Sequence, residues 1–261
     1  MLTAGRGRLA AVLLLGLTVS GLAAQEVLEE IVETTYPVEA RSKFTLSNQD
    51  GSIRIYGADT DQMRLQAIKK AYSKDRLGKI QVDVAVKPGL VTVRTTYPPT
   101  PRWGLSDRSG TVDYVIVLPW QCDVEEVRLA NGEMLIEGMR GREVHAQLGS
   151  GRMFSHNCFT DLDLSLGTGG LDVAYDWWEP QPIRLDSRVK EGNTRVFVPG
   201  EAQCRLEAET ADGNIISDFT AKEDRKPGGQ NRLDCTIGTD PNANITITAV
   251  KGSIRIKEAN L

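Results

Sequence analysis

Val144-His145-Ala146-Gln147-Leu148-Gly149-Ser150-Gly151-Arg152-Met153-Phe154-Ser155 places apolar or small residues at alternate positions on both sides of Gly151. A period of two marks strands with one buried face, because successive side chains of a strand point to opposite sides. The glycine, preceded by a small polar residue, supplies the permissive backbone of a tight turn. The stretch is therefore a strand–turn–strand unit with a single apolar face, and such a unit has to be covered by neighbours.

The neighbours are in the same chain. Phe44, Leu46 and Asn48 lead into Asp50-Gly51, with Ile53 and Ile55 beyond it. Val127 and Leu129 precede Asn131-Gly132, and Met134 and Ile136 follow. Leu162, Leu164 and Leu166 precede Thr168-Gly169, with Leu171 and Val173 as a second arm displaced by up to one residue. Leu185, Ser187 and Val189 lead into Glu191-Gly192; Leu206, Ala208 and Thr210 into Asp212-Gly213; Ile245, Ile247 and Ala249 into Lys251-Gly252. From Gly132 onward the anchors recur at roughly 20 residues, and the last interval is close to two periods. This regularity favours an all-β chain of stacked repeats, a β-solenoid or β-roll, over an antiparallel sandwich, which also has short alternating strands between turns.

Residues 25–120 are expected to form a more irregular N-terminal antiparallel β region, continuous with the β-repeat region at 121–261. Ile80 to Val86 and Val91 to Val93 alternate around Lys87-Pro88-Gly89 and read as a hairpin. A short helix fits Ser73 to Leu77, a further strand Val112 to Ile116, and surface loops Tyr97 to Gly110 and Lys222 to Gln230.

Residues 1–24 carry Arg6 and Arg8, an apolar run from Leu9 to Val19 and small residues at Gly21 and Ala23, the layout of a secretory signal peptide with cleavage after Ala23 or Ala24. The run is shorter than the ~20 residues that span a bilayer, and no later apolar stretch replaces it, so no transmembrane segment is expected after cleavage. Export to the periplasm or cell surface follows. The full chain has a net charge of −4, and losing both arginines makes it more acidic. That balance disfavours nucleic acid and anionic lipid as partners. Cys122, Cys158, Cys204 and Cys235 are too widely spaced for a Cys-x-x-Cys motif; in an exported chain they are candidate disulfide partners of unknown pairing, or buried thiols.

The segments Leu46-Ser47-Asn48-Gln49-Asp50-Gly51-Ser52-Ile53-Arg54-Ile55-Tyr56-Gly57, Val127 to Gly132, Asp113-Tyr114-Val115-Ile116-Val117-Leu118-Pro119 and Val250-Lys251-Gly252-Ser253-Ile254-Arg255-Ile256 resemble the adhesin-type family of bacterial β-strand-repeat proteins, classed as a domain of unknown function. The likeness covers nearly all of the chain beyond the signal. It implies an envelope or surface location and a solenoid-like body, and it carries over no catalytic residue. Asp240-Pro241-Asn242-Ala243-Asn244 departs from the pattern, where a glycine-rich turn is expected.

Little chemistry competes with a binding role. His145 and His156 are the two histidines; His156 and Cys158 share a face if they lie on a strand, yet no further metal ligands stand at suitable spacing. Gly149-Ser150-Gly151 lacks the flanks of a nucleophile elbow, and no glycine loop opens a helix as phosphate binding requires. No cofactor or metal is expected. Asp161, Asp163, Asp172 and Asp176 form a candidate acidic stripe, the basis for an alternative carbohydrate-active β-helix enzyme, though a solvated strand face explains them as well. Trp177 and Trp178, in a chain that also carries Trp103 and Trp120, are the candidate ligand contacts; on a strand at most one of an adjacent pair can enter the core. The expected function is that of a non-enzymatic, adhesin-like envelope or surface protein binding a protein or glycan through an extended strand face. The remaining alternative is a purely structural scaffold.

Overall fold

A computed structural model describes residues 26–99, 107, 109–219 and 231–259. The signal segment, Trp103 and the Lys222 to Gln230 loop lie outside the described residues. The chain is all-β, with 70% strand and 3% helix. The N-terminal strands are β1 (Leu28–Pro37), β2 (Lys43–Ala58), β3 (Gln62–Ala71), β4 (Gln81–Lys87), β5 (Leu90–Thr96) and β6 (Thr111–Pro119). Four long strands follow: β7 (Asp123–Glu137), β8 (Glu143–His156), β9 (Asp161–Ala174) and β10 (Arg184–Pro199). The C-terminal strands are β11 (Cys204–Asp212), β12 (Ile215–Ser217), β13 (Arg232–Ile237), β14 (Ala243–Lys251) and β15 (Ile254–Ala259). The helix is α1 (Lys74–Lys79), capped by Ser73, whose side chain accepts the Arg76 amide.

Hydrogen bonding joins the fifteen strands of the described residues into one open sheet. Its centre is parallel and in register: β2, β7, β8, β9 and β10 lie side by side, with Gly51, Gly132, Gly151, Gly169 and Gly192 on successive partners. Leu171 pairs with Met153, so the second arm of β9 is in register after all. Sequence order fails at the C-terminal end. The chain forms β11 and reverses into β13, which covers the outer edge of β11 antiparallel. It then returns to insert β14 between β10 and β11. Gly252 thus packs on Gly192 and Gly213 packs on Gly252, so the long final interval is an edge strand plus an insertion rather than two further periods.

The N-terminal region is not antiparallel throughout. β2 runs parallel to β5, β6 and β7, while β1–β3, β3–β6 and β4–β5 are the antiparallel pairs. β5 and β6 cover the two arms of β2 in turn. The break between β5 and β6 falls where the other repeats have their glycine turn; of the expected loop from Tyr97 to Gly110, residues 100–106 and 108 lie outside the described residues. The Tyr97 hydroxyl donates to Asn48 Oδ1 (2.8 Å), and Asn48 Nδ2 donates to the Val112 carbonyl (2.9 Å).

Each long strand bends at its glycine. β7 has 15 residues and would run ~50 Å if straight. Residues 138–142, which lead from its end into β8, reach at most ~20 Å. Since Val144 pairs with Val124 near the start of β7, the strand has to fold back on itself. Burial records the same bend: Val144, Ala146 and Leu148 are buried before Gly151, and Met153 and Ser155 after it, a change of parity across the turn. Gly151 has φ +133°, and a Cβ there would lie 1.8 Å from the Gly132 carbonyl oxygen, so both conformation and close approach demand glycine. The apolar residues of both arms form one core that includes Phe44, Ile53, Tyr114, Leu162 and Ile256.

Candidate functional site

The connections between long strands stack as the strands do. The Arg140 amide donates to the Trp120 carbonyl (2.7 Å), and the Gln181 side chain donates to the Phe159 carbonyl (3.1 Å). Gly141 permits this approach, for a Cβ there would meet the Cys122 carbonyl oxygen at 2.1 Å. The result is a row across successive connections. The Arg140 guanidinium lies 5.5 Å from the Trp120 ring centre and 5.4 Å from that of Phe159. The Phe159 ring lies 5.9 Å from Trp177. Phe159 is buried, whereas Trp120 is 36% and Trp177 44% exposed, so two indoles face solvent with a cation between them.

Trp177 and Trp178 lie in the connection after β9, not on a strand. The expected division holds for a different reason: Trp178 turns inward against the core, 5.6 Å from Tyr175, and Trp177 stays outside. Glu179 fixes the outer part of the row. Its carboxylate accepts from Arg140 (Nη2–Oε1 2.5 Å), from Trp177 Nε1 (3.1 Å) and from Gln181 (3.3 Å). Burial alone would raise the Glu179 carboxyl, but the Arg140 and Trp177 hydrogen bonds outweigh it and hold the group below its ordinary value. Arg140, Phe159 and Glu179 were not singled out by sequence; the signal available was the recurrence of Trp120, Arg140, Phe159 and Trp177 at about the repeat period.

The other candidates are engaged in structure. Asp172 takes a bidentate ion pair from Arg195 (Nε–Oδ1 2.6 Å), Asp163 pairs with Arg188 (2.8 Å), and Asp161 accepts the Arg184 amide (2.9 Å). His156 Nε2 donates to the Asp176 carboxylate (2.8 Å), and Nδ1 faces Glu137 (3.4 Å). His156 and Cys158 do not share a strand face, because Asn157 turns the chain with φ +49° and sends Cys158 inward. The four cysteines are free thiols; burial pushes Cys122 and Cys204 up to about 12. Among the described residues no three His, Cys, Asp or Glu side chains converge as metal ligands. No described helix is long and apolar enough to cross a membrane.

The Asn157 side chain, followed by His156, holds the Asp176 carboxyl below the usual carboxylate range, and Glu179 is lowered as well. A depressed folded pKa favours the ionised form, so this stability is present above the ordinary values and is lost as pH falls through the lowered ones. The melting temperature is expected to stay level from about pH 7 to 5 and to drop below about pH 4. Asp176→Asn should remove part of that drop. A steep loss above pH 5 in a thermal melt series contradicts the assignment.

No family model matches the chain, and no curated protein matches it in sequence. Solved structures do. A provisionally named cell adhesion protein from Clostridium sporogenes aligns at TM-score 0.53 and 17% identity, over 89% of this chain and 100% of its own. The likeness is one of fold. A provisionally named adhesin from Bacteroides fragilis aligns at TM-score 0.36 and 11% identity, over 87% of this chain and 97% of its own. A provisionally named lipid-binding protein from Parabacteroides distasonis aligns at 0.33 and 10%, over 88% and 95%.

Proposed function

We propose that this is an exported, adhesin-like, non-enzymatic surface protein that grips a glycan through its connection edge. The observation that carries the reading is the pair of exposed indoles, Trp120 and Trp177, held in one row by Arg140 and Glu179. Flat aromatic faces beside a guanidinium suit the apolar face of a sugar ring, with the cation available to ring hydroxyls. The row crosses about three strand spacings, ~14 Å, room for more than one sugar. This contact lies on the connections; on the strand faces Asp163 and Asp172 are paired with Arg188 and Arg195.

The same reading makes the body a β-solenoid. In-register parallel neighbours, a positive-φ glycine at every bend and connections too short for straight strands support stacked two-armed turns. β4 and β13 then act as antiparallel end caps on the first arms, and β1–β3 on the second. Absence of catalysis is supported by the carboxylates, since Asp161, Asp163, Asp172 and Asp176 each already serve a structural donor.

The test is a panel of soluble polysaccharides, mannan, xylan and chitin oligomers, titrated against the chain from Gln25 onward. Trp120→Ala and Trp177→Ala are each expected to weaken binding about five-fold or more while the melting temperature holds. Unchanged affinity in both variants, or no glycan bound at all, overturns the proposal.

A further inference from the structure

A second surface lies on the outer side of the second arms, beside the glycine bends. There the row following the anchors reads Glu133, Arg152, Gly170, Asn193 and Ser253 across neighbouring strands. Gly170 is the gap in it. Its φ is not in the left-handed region, and nothing lies within 4 Å of where its Cβ would stand, so no bend or close approach requires this glycine. The missing side chain opens a notch in a groove of about 980 Å³.

Two residues further along each strand the row contains Phe154, Asp172, Arg195 and Arg255 on successive partners. Arg195 and Arg255 are direct register neighbours, two cations side by side on an exposed face. Like charges directly opposite one another destabilise a sheet unless something compensates them. Asp172 compensates only Arg195, through both of its oxygens. Among the described residues no carboxylate pairs with Arg255. On the other side of the notch the Arg152 guanidinium lies 5.7 Å from the centre of the Phe154 ring, a contact that holds it at the surface without neutralising it.

We propose that this groove binds an acidic polysaccharide, with one carboxylate or sulfate seated over Gly170 between Arg152 and the Arg195–Arg255 pair. Guanidinium donors in fixed, partly stacked positions match planar oxyanions bidentately. Its lining crosses several strands, from Glu133 to Arg255, which suits an extended chain. Its charges are sparse and interrupted by Glu133 and Asp172, and the whole chain is acidic at −4, a poor match for the dense charge of nucleic acid. The site is separate from the connection edge and does not depend on the aromatic row.

The experiment titrates the chain from Gln25 onward with polygalacturonate, dextran sulfate, neutral dextran and a DNA duplex at one fixed salt concentration. Polygalacturonate or dextran sulfate is expected to bind, with neutral dextran and DNA weaker. Arg255→Gln should reduce that affinity about ten-fold, the loss of one charge-assisted contact. Gly170→Asp places a carboxylate in the notch and should reduce it at least as much while leaving the melting temperature equal or higher. Arg205→Gln, the same charge change on the first arms, should leave it unchanged. Equal losses for Arg205→Gln and Arg255→Gln reduce the effect to net charge and overturn the proposal. Failure of both acidic polymers to bind, tighter binding of DNA, or loss of binding only in Trp177→Ala overturns it too.

Discussion

Gly151→Val is expected to destabilise the chain by about 3 kcal/mol or more. Two independent causes add. The backbone at φ +133° lies in a region that β-branched residues scarcely enter. The new Cβ would also stand 1.8 Å from the Gly132 carbonyl oxygen, which is backbone and cannot rotate away. Relief by shifting the strand is blocked from the other side: a Cβ at Gly169 would likewise lie 1.8 Å from the Gly151 carbonyl oxygen, so the row is already at closest approach. Ser150→Ala, one residue earlier on the exposed ridge, should cost far less. Denaturant midpoints for the two variants decide the matter, and a Gly151→Val midpoint equal to wild type contradicts the close-packed row.

Asp123→Ala is expected to cost about 2–3 kcal/mol. The Asp123 side chain is 2% exposed, at the start of β7, where the chain enters from the connection. Its Oδ1 accepts the Arg142 backbone amide (2.7 Å) and its Oδ2 the Arg142 Nε (2.8 Å), so one carboxylate holds the entry of the next repeat. Arg142's own side chain is 73% exposed and can rehydrate, so the cost resides in the abandoned amide and the emptied space around the carboxylate. Asp123→Asn keeps an acceptor for the amide and should fall between Ala and wild type. If Asn and Ala prove equally destabilising in equilibrium unfolding, the amide is not the principal contact.

These two sites differ in how plainly the sequence declares them. Gly151 is legible because conformation and packing both select glycine at every repeat, and a period of two on either side leaves one way to bury Val144 and Met153. The helix after Ser73 and the hairpin at Gly89 are legible for the same local reasons, a cap and a turn. The place of Gly252 is not. Nothing between Asp212 and Ala243 signals that β14 inserts beside β10, because that pairing is a competition between distant edges rather than a local preference. The ion pairs were nearer to hand than the acidic stripe suggested: Asp163–Arg188 and Asp172–Arg195 each join one repeat to the next, so charge of opposite sign one period later was the available sign. Arg140, Phe159 and Glu179 acquire meaning only once the connections stack, since each sits alone among unrelated loop residues in the linear chain. Trp178 illustrates the limit differently. At most one of the two indoles was expected to turn inward, and a loop rather than strand alternation decides which.

The central claim is that this protein holds a glycan and does not cleave it. The most direct measurement incubates the chain from Gln25 onward with the polysaccharides it binds and follows both retention on the polymer and release of reducing ends or unsaturated products. Retention with polymer length unchanged is the predicted result. Product release that disappears in Asp172→Asn or Asp176→Asn while the protein remains folded would contradict the account and make the paired carboxylates an active site.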